Sequence, residues 1–213
     1  MFSLFDFQHI SVLAIAFAGI FCVKNNLFWR TVLAWGLALQ FVVYHSWNLY
    51  FGTWKLDQSL PLHLCSLGLL LNILALNTNK NWIKEVCFYW TVFPVLLALF
   101  LPDLNTGIGS FRFWEFFWSH ILMLWSAVLI VKSTKLTVLG LHRSFAIVIG
   151  YTLFFALPIN LWLKTNYAYI VISPAPVRDI FPVFPYFIPI LMVILYTLYW
   201  IQFAFAKFFK KYE

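Results

Sequence analysis

The stretch FWEFFWSHILMLWSAVLIV, residues 113–131, decides the fold class of this chain. Glu115 is its only charged residue, and the other side chains are almost all apolar or aromatic. About 20 residues of this kind in a helix are enough to cross a hydrocarbon core of about 30 Å. Because lipid offers the backbone no hydrogen-bond partners, the segment must satisfy its own amides, as a helix does. The stretch therefore predicts a transmembrane helix.

Outward from this stretch, the rest of the chain repeats the pattern. The predicted spans are residues 8–23, 30–49, 61–77, 83–101, 113–131, 139–163 and 181–206. Seven spans of about 20 residues use about 140 residues, so the loops are too short to hold a soluble domain. We predict an all-α polytopic membrane protein with seven transmembrane helices, which form a single domain over residues 1–213.

The composition excludes other classes of protein. Of the 213 residues, 63% are hydrophobic and only 10% are charged, whereas soluble domains carry about 25% charged residues. The cysteines, Cys22, Cys65 and Cys87, form no CxxC pair and no even-numbered set, which argues against a disulfide framework and a thiolate-only metal cluster. The net charge of +7 fits the basic loops of a membrane protein better than nucleic-acid binding.

The distribution of basic residues predicts the orientation. With seven spans, most of the 14 Lys and Arg residues fall on the side of the C-terminus. These are Lys24, Arg30, Lys80, Lys84, Lys132, Lys135, Arg143, Lys207, Lys210 and Lys211. The opposite side has Lys55, Arg112, Lys164 and Arg178. Because cytoplasmic loops carry the excess of Lys and Arg, we predict a cytoplasmic C-terminus and an outer N-terminus in a cell membrane, the cytoplasmic membrane of a bacterium.

Polar and titratable side chains collect at the predicted outer ends of the spans. Ionisable groups at membrane depth are costly unless they face a cavity in the protein, so this one-sided clustering indicates an outward-facing polar pocket. Each residue alone also fits a structural role, because helix ends are often polar. The predicted substrate-binding residues are His45, His63, Asp103, Arg112, Glu115, Asn160, Asn166 and Tyr167. The inner half has few polar residues below mid-depth, which argues against a transport path.

Cys65 is the predicted nucleophile of this pocket. Ser59 suits a helix N-cap and Pro61 a first turn, which would place Cys65 about one turn inside the third helix. The positive end of a helix dipole stabilises a thiolate, which is the nucleophilic form of cysteine. The alternative is that Cys65 is a small buried apolar residue, as we expect for Cys22 and Cys87.

His120 is the predicted general base. It lies two to three turns into the fifth span, about 10–14 Å below its start at about 1.5 Å per residue. A structural role explains an imidazole at that depth less easily than a functional one. His45 is a second candidate, whereas His63 would point away from Cys65 if the helix had already begun. Arg112 and Glu115 have the i, i+3 spacing of an ion pair at the mouth of the pocket.

These residues carry a resemblance to a known family. The chain resembles the YwaF/TMEM164 family of integral membrane proteins in the segments Leu60-Pro61-Leu62-His63-Leu64-Cys65, Phe88-Tyr89-Trp90, Leu101-Pro102-Asp103-Leu104, Phe116-Phe117-Trp118-Ser119-His120 and Asn166-Tyr167. The resemblance implies phospholipid acyl transfer through one cysteine and one histidine, which correspond to Cys65 and His120. The chain departs from the pattern at Ser66, where bacterial relatives often carry an acid, and at residues 182–185, which are poorer in glycine and tryptophan.

Three functions remain open at this point. The favoured one is a membrane-embedded lipid acyltransferase or lipid-ester hydrolase, which uses Cys65 and His120 on a membrane phospholipid or another acyl lipid, with no cofactor and no metal. Asn160, Asn166 or Arg112 would then supply donors to the oxyanion or the headgroup. The first alternative is a zinc-dependent lipid hydrolase with the outer histidines and Asp103 as ligands. The second is a transporter or ligand-binding protein without chemistry.

Overall fold

The computed structural model of the chain describes residues 3–172 and 184–210. These residues form helices and no strand, which confirms the all-α prediction. The helices are α1 Phe7–Cys22, α2 Leu27–Tyr50, α3 Leu64–Leu76, α4 Asn81–Phe100, α5 Phe111–Lys132, α6 Val138–Leu163 and α7 Phe187–Lys210.

The helices differ in length. Within the described ranges, five of them, α2, α4, α5, α6 and α7, are long and apolar enough to cross a membrane. The other two, α1 and α3, are apolar but have only 16 and 13 residues. At about 1.5 Å per residue, α3 is about 20 Å long, shorter than a hydrocarbon core of about 30 Å. The seven crossings and their orientation therefore stay predictions.

Side-chain caps explain where most of the helices begin. The carboxylate of Asp6 accepts a hydrogen bond from the His9 amide, and Asn26 accepts one from Trp29. Ser110 and Thr137 cap α5 and α6 in the same way. Each bond satisfies one of the four amides that a helix N-terminus leaves without an intrahelical acceptor.

The predicted start of α3 is wrong. The helix begins at Leu64, after an N-cap at His63, so Cys65 is its second residue and not one turn inside. Ser59 does not cap it, because its hydroxyl accepts a hydrogen bond from the Lys55 amide. The carbonyl of Leu62 accepts a hydrogen bond from the Tyr151 hydroxyl, so the chain before His63 is held as a turn by tertiary contacts.

The centre of the bundle is formed by α4 and α5. α4 contacts α3, α5, α6 and α7, and α5 contacts α1, α2, α3 and α4. A close contact joins α1 and α5, where a Cβ added at Gly19 would be 2.1 Å from the Trp125 ring. The Trp125 indole also donates a hydrogen bond to the Ala16 carbonyl at 2.8 Å. Glycine is therefore required at position 19 for the two helices to meet.

A π-helical turn, Thr152–Ala156, interrupts α6. Pro158 explains this turn, because proline has no amide proton for the carbonyl one turn earlier. Instead, the Leu157 amide donates to the Thr152 carbonyl, five residues back. Turns of this kind are frequent at functional sites. α6 ends at Leu163 and is capped by Lys164, which has a left-handed backbone with a φ of 54°.

Two expectations about burial need correction. Cys22 is exposed at the end of α1, whereas Cys87 is fully buried as expected. The half of the bundle away from Cys65 also buries more polar groups than the sequence indicates. Asn72 donates a hydrogen bond to Thr91 at 2.8 Å, and Gln202 lies buried on α7. Contacts within the bundle bury these side chains in stretches that are otherwise apolar.

Candidate functional site

The site is built around the N-terminus of α3. Its N-cap, His63, makes no side-chain capping bond. Within the described residues, the amides of Leu64, Cys65 and Ser66 have no hydrogen-bond acceptor, and the first amide of the helix with a partner is that of Leu67. Free amides at a helix N-terminus attract negative charge. The half-buried Cys65 thiol lies among them.

Aromatic side chains from three other segments hold this N-terminus in place. The Trp90 indole of α4 donates a hydrogen bond to the Leu64 carbonyl at 2.9 Å, and Tyr151 of α6 donates to Leu62. Tyr167 accepts a hydrogen bond from the Leu60 amide at 3.3 Å and donates to the Leu56 carbonyl. The chain on both sides of His63 is therefore fixed by side chains distant in sequence.

His120 is the tenth residue of α5 and is only 5% exposed. Its Nδ1 lies 2.6 Å from the Phe116 carbonyl oxygen. Because a carbonyl only accepts, Nδ1 carries the proton, and in the neutral imidazole Nε2 has the free lone pair. Nε2 is buried and has no hydrogen-bond partner among the described residues. The imidazole is thus oriented by one nitrogen and free to accept a proton at the other.

α3 and α5 are parallel neighbours. They pack against each other, and a Cβ added at Gly68 of α3 would lie 3.8 Å from the Met123 sulfur of α5. The ends of both helices lie at the same end of the bundle, because Asn81, at the start of α4, exchanges hydrogen bonds of 2.8 and 3.1 Å with the backbone of Lys135. No hydrogen bond of the described chain joins Cys65 to His120.

A second group of predicted residues meets in the loop after α6. The His63 ring lies 5.2 Å from the ring of Tyr167 and 5.5 Å from that of Tyr169, and His63 Nδ1 accepts a hydrogen bond from the Ala168 amide. Tyr169 donates to the Asp103 carboxylate at 3.1 Å. Burial raises the pKa of Tyr169 to about 12, and the Asp103 carboxylate acts in the same direction.

Asn160 and Asn166 have their side-chain amides occupied by this loop. Asn160 donates to the Tyr167 carbonyl at 2.9 Å and accepts from Thr165 and from the Tyr167 amide. Asn166 binds the backbone of residues 171 and 172. These bonds hold Ala168 and Tyr169 at positive φ, a costly conformation that requires such support.

Arg112 and Glu115 form the predicted ion pair near the N-terminus of α5. Gln40 of α2 donates hydrogen bonds to the Glu115 carbonyl at 3.0 Å and to its carboxylate at 3.4 Å. The Arg112 guanidinium also lies 5.7 Å from the centre of the Phe116 ring. Phe116, whose carbonyl binds His120, therefore links the ion pair to the histidine along successive turns of α5.

His45 is separate from these groups in its described contacts. Its Nδ1 accepts a hydrogen bond from the Trp54 indole at 3.2 Å, and its ring packs on Phe41 and Tyr44. In the part of the chain that the structure describes, no three His, Cys, Asp or Glu side chains come together as a group that could hold a metal ion. The zinc alternative finds no ligand set there. Arg178 lies outside the described residues.

The sequence analysis missed the side chains that position the site. Trp90, Tyr151 and Gln40 were not among the predicted site residues. Gln40 binds Glu115, and Trp90 and Tyr151 bind the backbone of Leu64 and Leu62 on either side of His63. The available signal was a polar group on an aromatic or amide side chain inside an apolar run, because such a group needs a partner when buried.

The comparisons with known proteins agree with the resemblance described above. No curated protein and no solved structure matches the chain. A family does match, over residues 2–205, which is nearly the whole sequence. With its helical bundle, its apolar spans and this match, the chain belongs to the TMEM164 family of membrane proteins.

Proposed function

We propose that this protein is a lipid acyltransferase or lipid-ester hydrolase in which Cys65 is the nucleophile and His120 the general base. The observation that carries the proposal is the state of the His120 imidazole. Its Nδ1 proton is bound to the Phe116 carbonyl, and its buried Nε2 has no partner in the described structure. A buried polar atom without a partner is costly and rare, which indicates a role that the resting protein leaves unfilled.

The register of α3 and α5 supports the pairing with Cys65. Gly68 and Met123 lie side by side on these parallel helices. Cys65 is three residues before Gly68, and His120 is three residues before Met123, so each lies one turn further toward the same end of its helix. The two side chains are therefore at one level of neighbouring helices. The proposal requires the sulfur of Cys65 and Nε2 of His120 to come together when a substrate binds.

In the first half of the reaction, Cys65 Sγ attacks the carbonyl carbon of a lipid ester while His120 Nε2 takes the thiol proton. The negative charge on the ester oxygen is stabilised by the free amides at the start of α3, those of Cys65 and Ser66. The carbon–oxygen bond of the ester then breaks. The leaving lysolipid oxygen takes the proton from His120, and the acyl chain remains on Cys65 as a thioester.

In the second half, a hydroxyl group attacks the thioester carbonyl. His120 accepts the proton of this hydroxyl, and the departing thiolate takes the proton back to restore the Cys65 thiol. An acceptor lipid alcohol gives acyl transfer, whereas water gives hydrolysis. Both outcomes use the same residues and differ only in which hydroxyl reaches the thioester.

An apolar groove supports a lipid as the substrate. It has a volume of about 480 Å³ and lies between α6 and α7, where its lining includes Phe145, Leu153, Ile188 and Met192. Ile188 belongs to an apolar cluster against which Met192 and Leu64, the residue next to Cys65, both pack. The groove therefore adjoins the apolar cluster at the start of α3.

The test uses the purified full chain in lipid nanodiscs that contain a phospholipid with an isotope-labelled acyl chain. We expect an acyl adduct on Cys65 that hydroxylamine removes, detected by mass spectrometry of the intact protein and its peptides. Cys65→Ala should abolish both the adduct and the release of lysolipid. His120→Ala should slow adduct formation by about 10²–10⁴-fold, which is the usual contribution of a general base.

Two matched variants serve as controls. Cys87→Ala removes the buried cysteine of α4, and His142→Ala removes an exposed histidine of α6. Both should keep the wild-type rate. Turnover that survives Cys65→Ala, or an equal loss from His142→Ala and His120→Ala in folded proteins, would contradict the proposal.

A further inference from the structure

A basic cavity lies at the end of the bundle opposite Cys65. It has a volume of about 340 Å³ and is lined by residues 132–136 between α5 and α6, together with Ala206 and Lys207 of α7. Three of the lining residues are lysines, Lys132, Lys135 and Lys207, and no carboxylate lines the cavity. Cavities of about 300–1,000 Å³ are the usual size for small-molecule sites.

The nearest described carboxylate does not neutralise these lysines. Glu85 of α4 accepts hydrogen bonds from the amide and the hydroxyl of Thr137 at 2.7 and 2.8 Å. It is buried against Gly140, where an added Cβ would lie 2.1 Å from Glu85 Oε1. The carboxylate therefore compensates the positive end of α6, at whose N-cap Thr137 lies. The lysines of the cavity remain a concentrated positive charge.

One turn deeper than the cavity, polar atoms are buried without partners. Gln202 lies four residues before Ala206 and so on the same face of α7; it is only 8% exposed. Neither its nitrogen nor its oxygen has a hydrogen-bond partner in the described chain, and the same is true of the Tyr89 hydroxyl on α4. The Tyr89 ring lies 5.2 Å from Tyr199, one turn from Gln202.

The order of these groups along the bundle matches the order of the polar groups in a phospholipid. Lysines at a membrane surface bind phosphate, and basic pockets between helices bind lipid headgroups. A glutamine one turn deeper meets the glycerol and ester region that follows the phosphate. The Lys207 ammonium is held near this boundary, because it lies 4.7 Å from the centre of the Phe203 ring.

We propose that this cavity binds the phosphate group of an anionic phospholipid from the leaflet on the predicted cytoplasmic side. The three lysines hold the phosphate oxygens, and the Gln202 side-chain NH₂ group donates to the ester oxygens of the glycerol backbone below them. The site lies at the other end of the bundle from Cys65 and does not depend on the proposed acyl transfer. Its occupant is a bound lipid and is not the acyl donor.

The test measures lipid retention by native mass spectrometry of the purified full chain. The probes are phosphatidylglycerol and phosphatidylcholine with identical acyl chains, and inorganic phosphate. We expect one phosphatidylglycerol per chain to be retained in preference to phosphatidylcholine. Lys132→Ala, Lys135→Ala and Lys207→Ala should each weaken binding about fivefold, from the usual contribution of a lysine to anionic lipid binding.

The variants separate a specific site from general attraction of charge. Lys24→Ala removes a basic residue on the same predicted side that does not line the cavity, and it should leave retention unchanged. Gln202→Leu keeps every charge and should still weaken binding. Equal retention of the two lipids, or equal loss from Lys24→Ala and Lys132→Ala, would overturn the site. Inorganic phosphate that binds as tightly as phosphatidylglycerol would overturn the lipid as the source of the phosphate.

Discussion

The two ends of the bundle both bury polar side chains, but they use them differently. At the end that contains Cys65, most predicted polar groups are occupied: Asn160 and Asn166 hold a loop, and Glu115 binds Arg112 and Gln40. In the part of the chain that the structure describes, the groups without partners at this end include His120 Nε2 and the first amides of α3. Toward the opposite end they include the side-chain amide of Gln202, the Tyr89 hydroxyl and Asn72 Oδ1.

This difference shows which chemistry each end suits. Under the proposed function, a base, a thiol and free amides at the first end would move a proton and stabilise an oxyanion. An amide, a phenol and three lysines have no good nucleophile or base among them at neutral pH, so the opposite end suits binding. The polar groups that indicate a function are those that have no hydrogen-bond partner in the described structure.

The largest expected effect concerns the placement of the two ends across the membrane. We expect a cysteine introduced at exposed Thr106 to react fully with an impermeant thiol reagent added to intact cells, and one at exposed Asn79 to stay unlabelled. The reason is the excess of basic residues on the side of Asn79. The unsubstituted protein measures labelling of the native cysteines. The reverse pattern would place Cys65 on the cytoplasmic side.

The second prediction, with a smaller expected effect, compares how tightly the two halves of α6 are packed. Gly140→Ala should lower the free energy of unfolding by about 1–3 kcal/mol, because the new methyl group would displace the Glu85 carboxylate from Thr137. Gly150→Ala is the matched control: no atom lies within 4 Å of an added Cβ there, and alanine favours a helix by up to about 1 kcal/mol. Unfolding in detergent would measure both. Equal shifts would contradict the close packing of Glu85.

The smallest effect concerns the pH dependence of the loop beside His63. The pKa of Tyr169 is raised from 10.0 to about 12 in the folded protein. Folding therefore gains stability from the protonated phenol that is complete below pH 10 and is lost as the pH rises from 10 to about 12. We expect Tyr169→Phe to reduce the fall in melting temperature between pH 9 and pH 11. An unchanged fall would show that other groups cause it.

The sequence was sufficient for the class of fold and most helices. The long apolar runs predicted α2, α4, α5 and α6 to within a few residues, because about 20 apolar residues have few alternatives in a membrane. It was not sufficient for α3. Ser59 and Pro61 looked like a helix start by local rules, but Lys55 binds the Ser59 hydroxyl and Tyr151 binds Leu62. Tertiary hydrogen bonds moved the start to Leu64.

The same distinction applies to the candidate site: the sequence predicted some of its features, and only the structure shows the others. The residue types and depth of Cys65 and His120 suggested a nucleophile and a base from the sequence alone. The sequence could not show that the His120 proton lies on Nδ1 or that Nε2 lacks a partner, because both depend on the Phe116 carbonyl and on what surrounds the ring. The positioning roles of Tyr151 and Trp90 also became visible only through their hydrogen-bond partners.

By itself, the sequence determined that this chain is a helical membrane protein and which residue types it can use for chemistry. Both follow from composition and from the period of apolar side chains, which are local properties. The tertiary structure decided which polar groups find partners and which stay free, since a hydrogen bond joins residues such as Tyr151 and Leu62 that are distant in the chain. A buried polar group costs free energy only when it has no partner, and only packing determines whether it finds one.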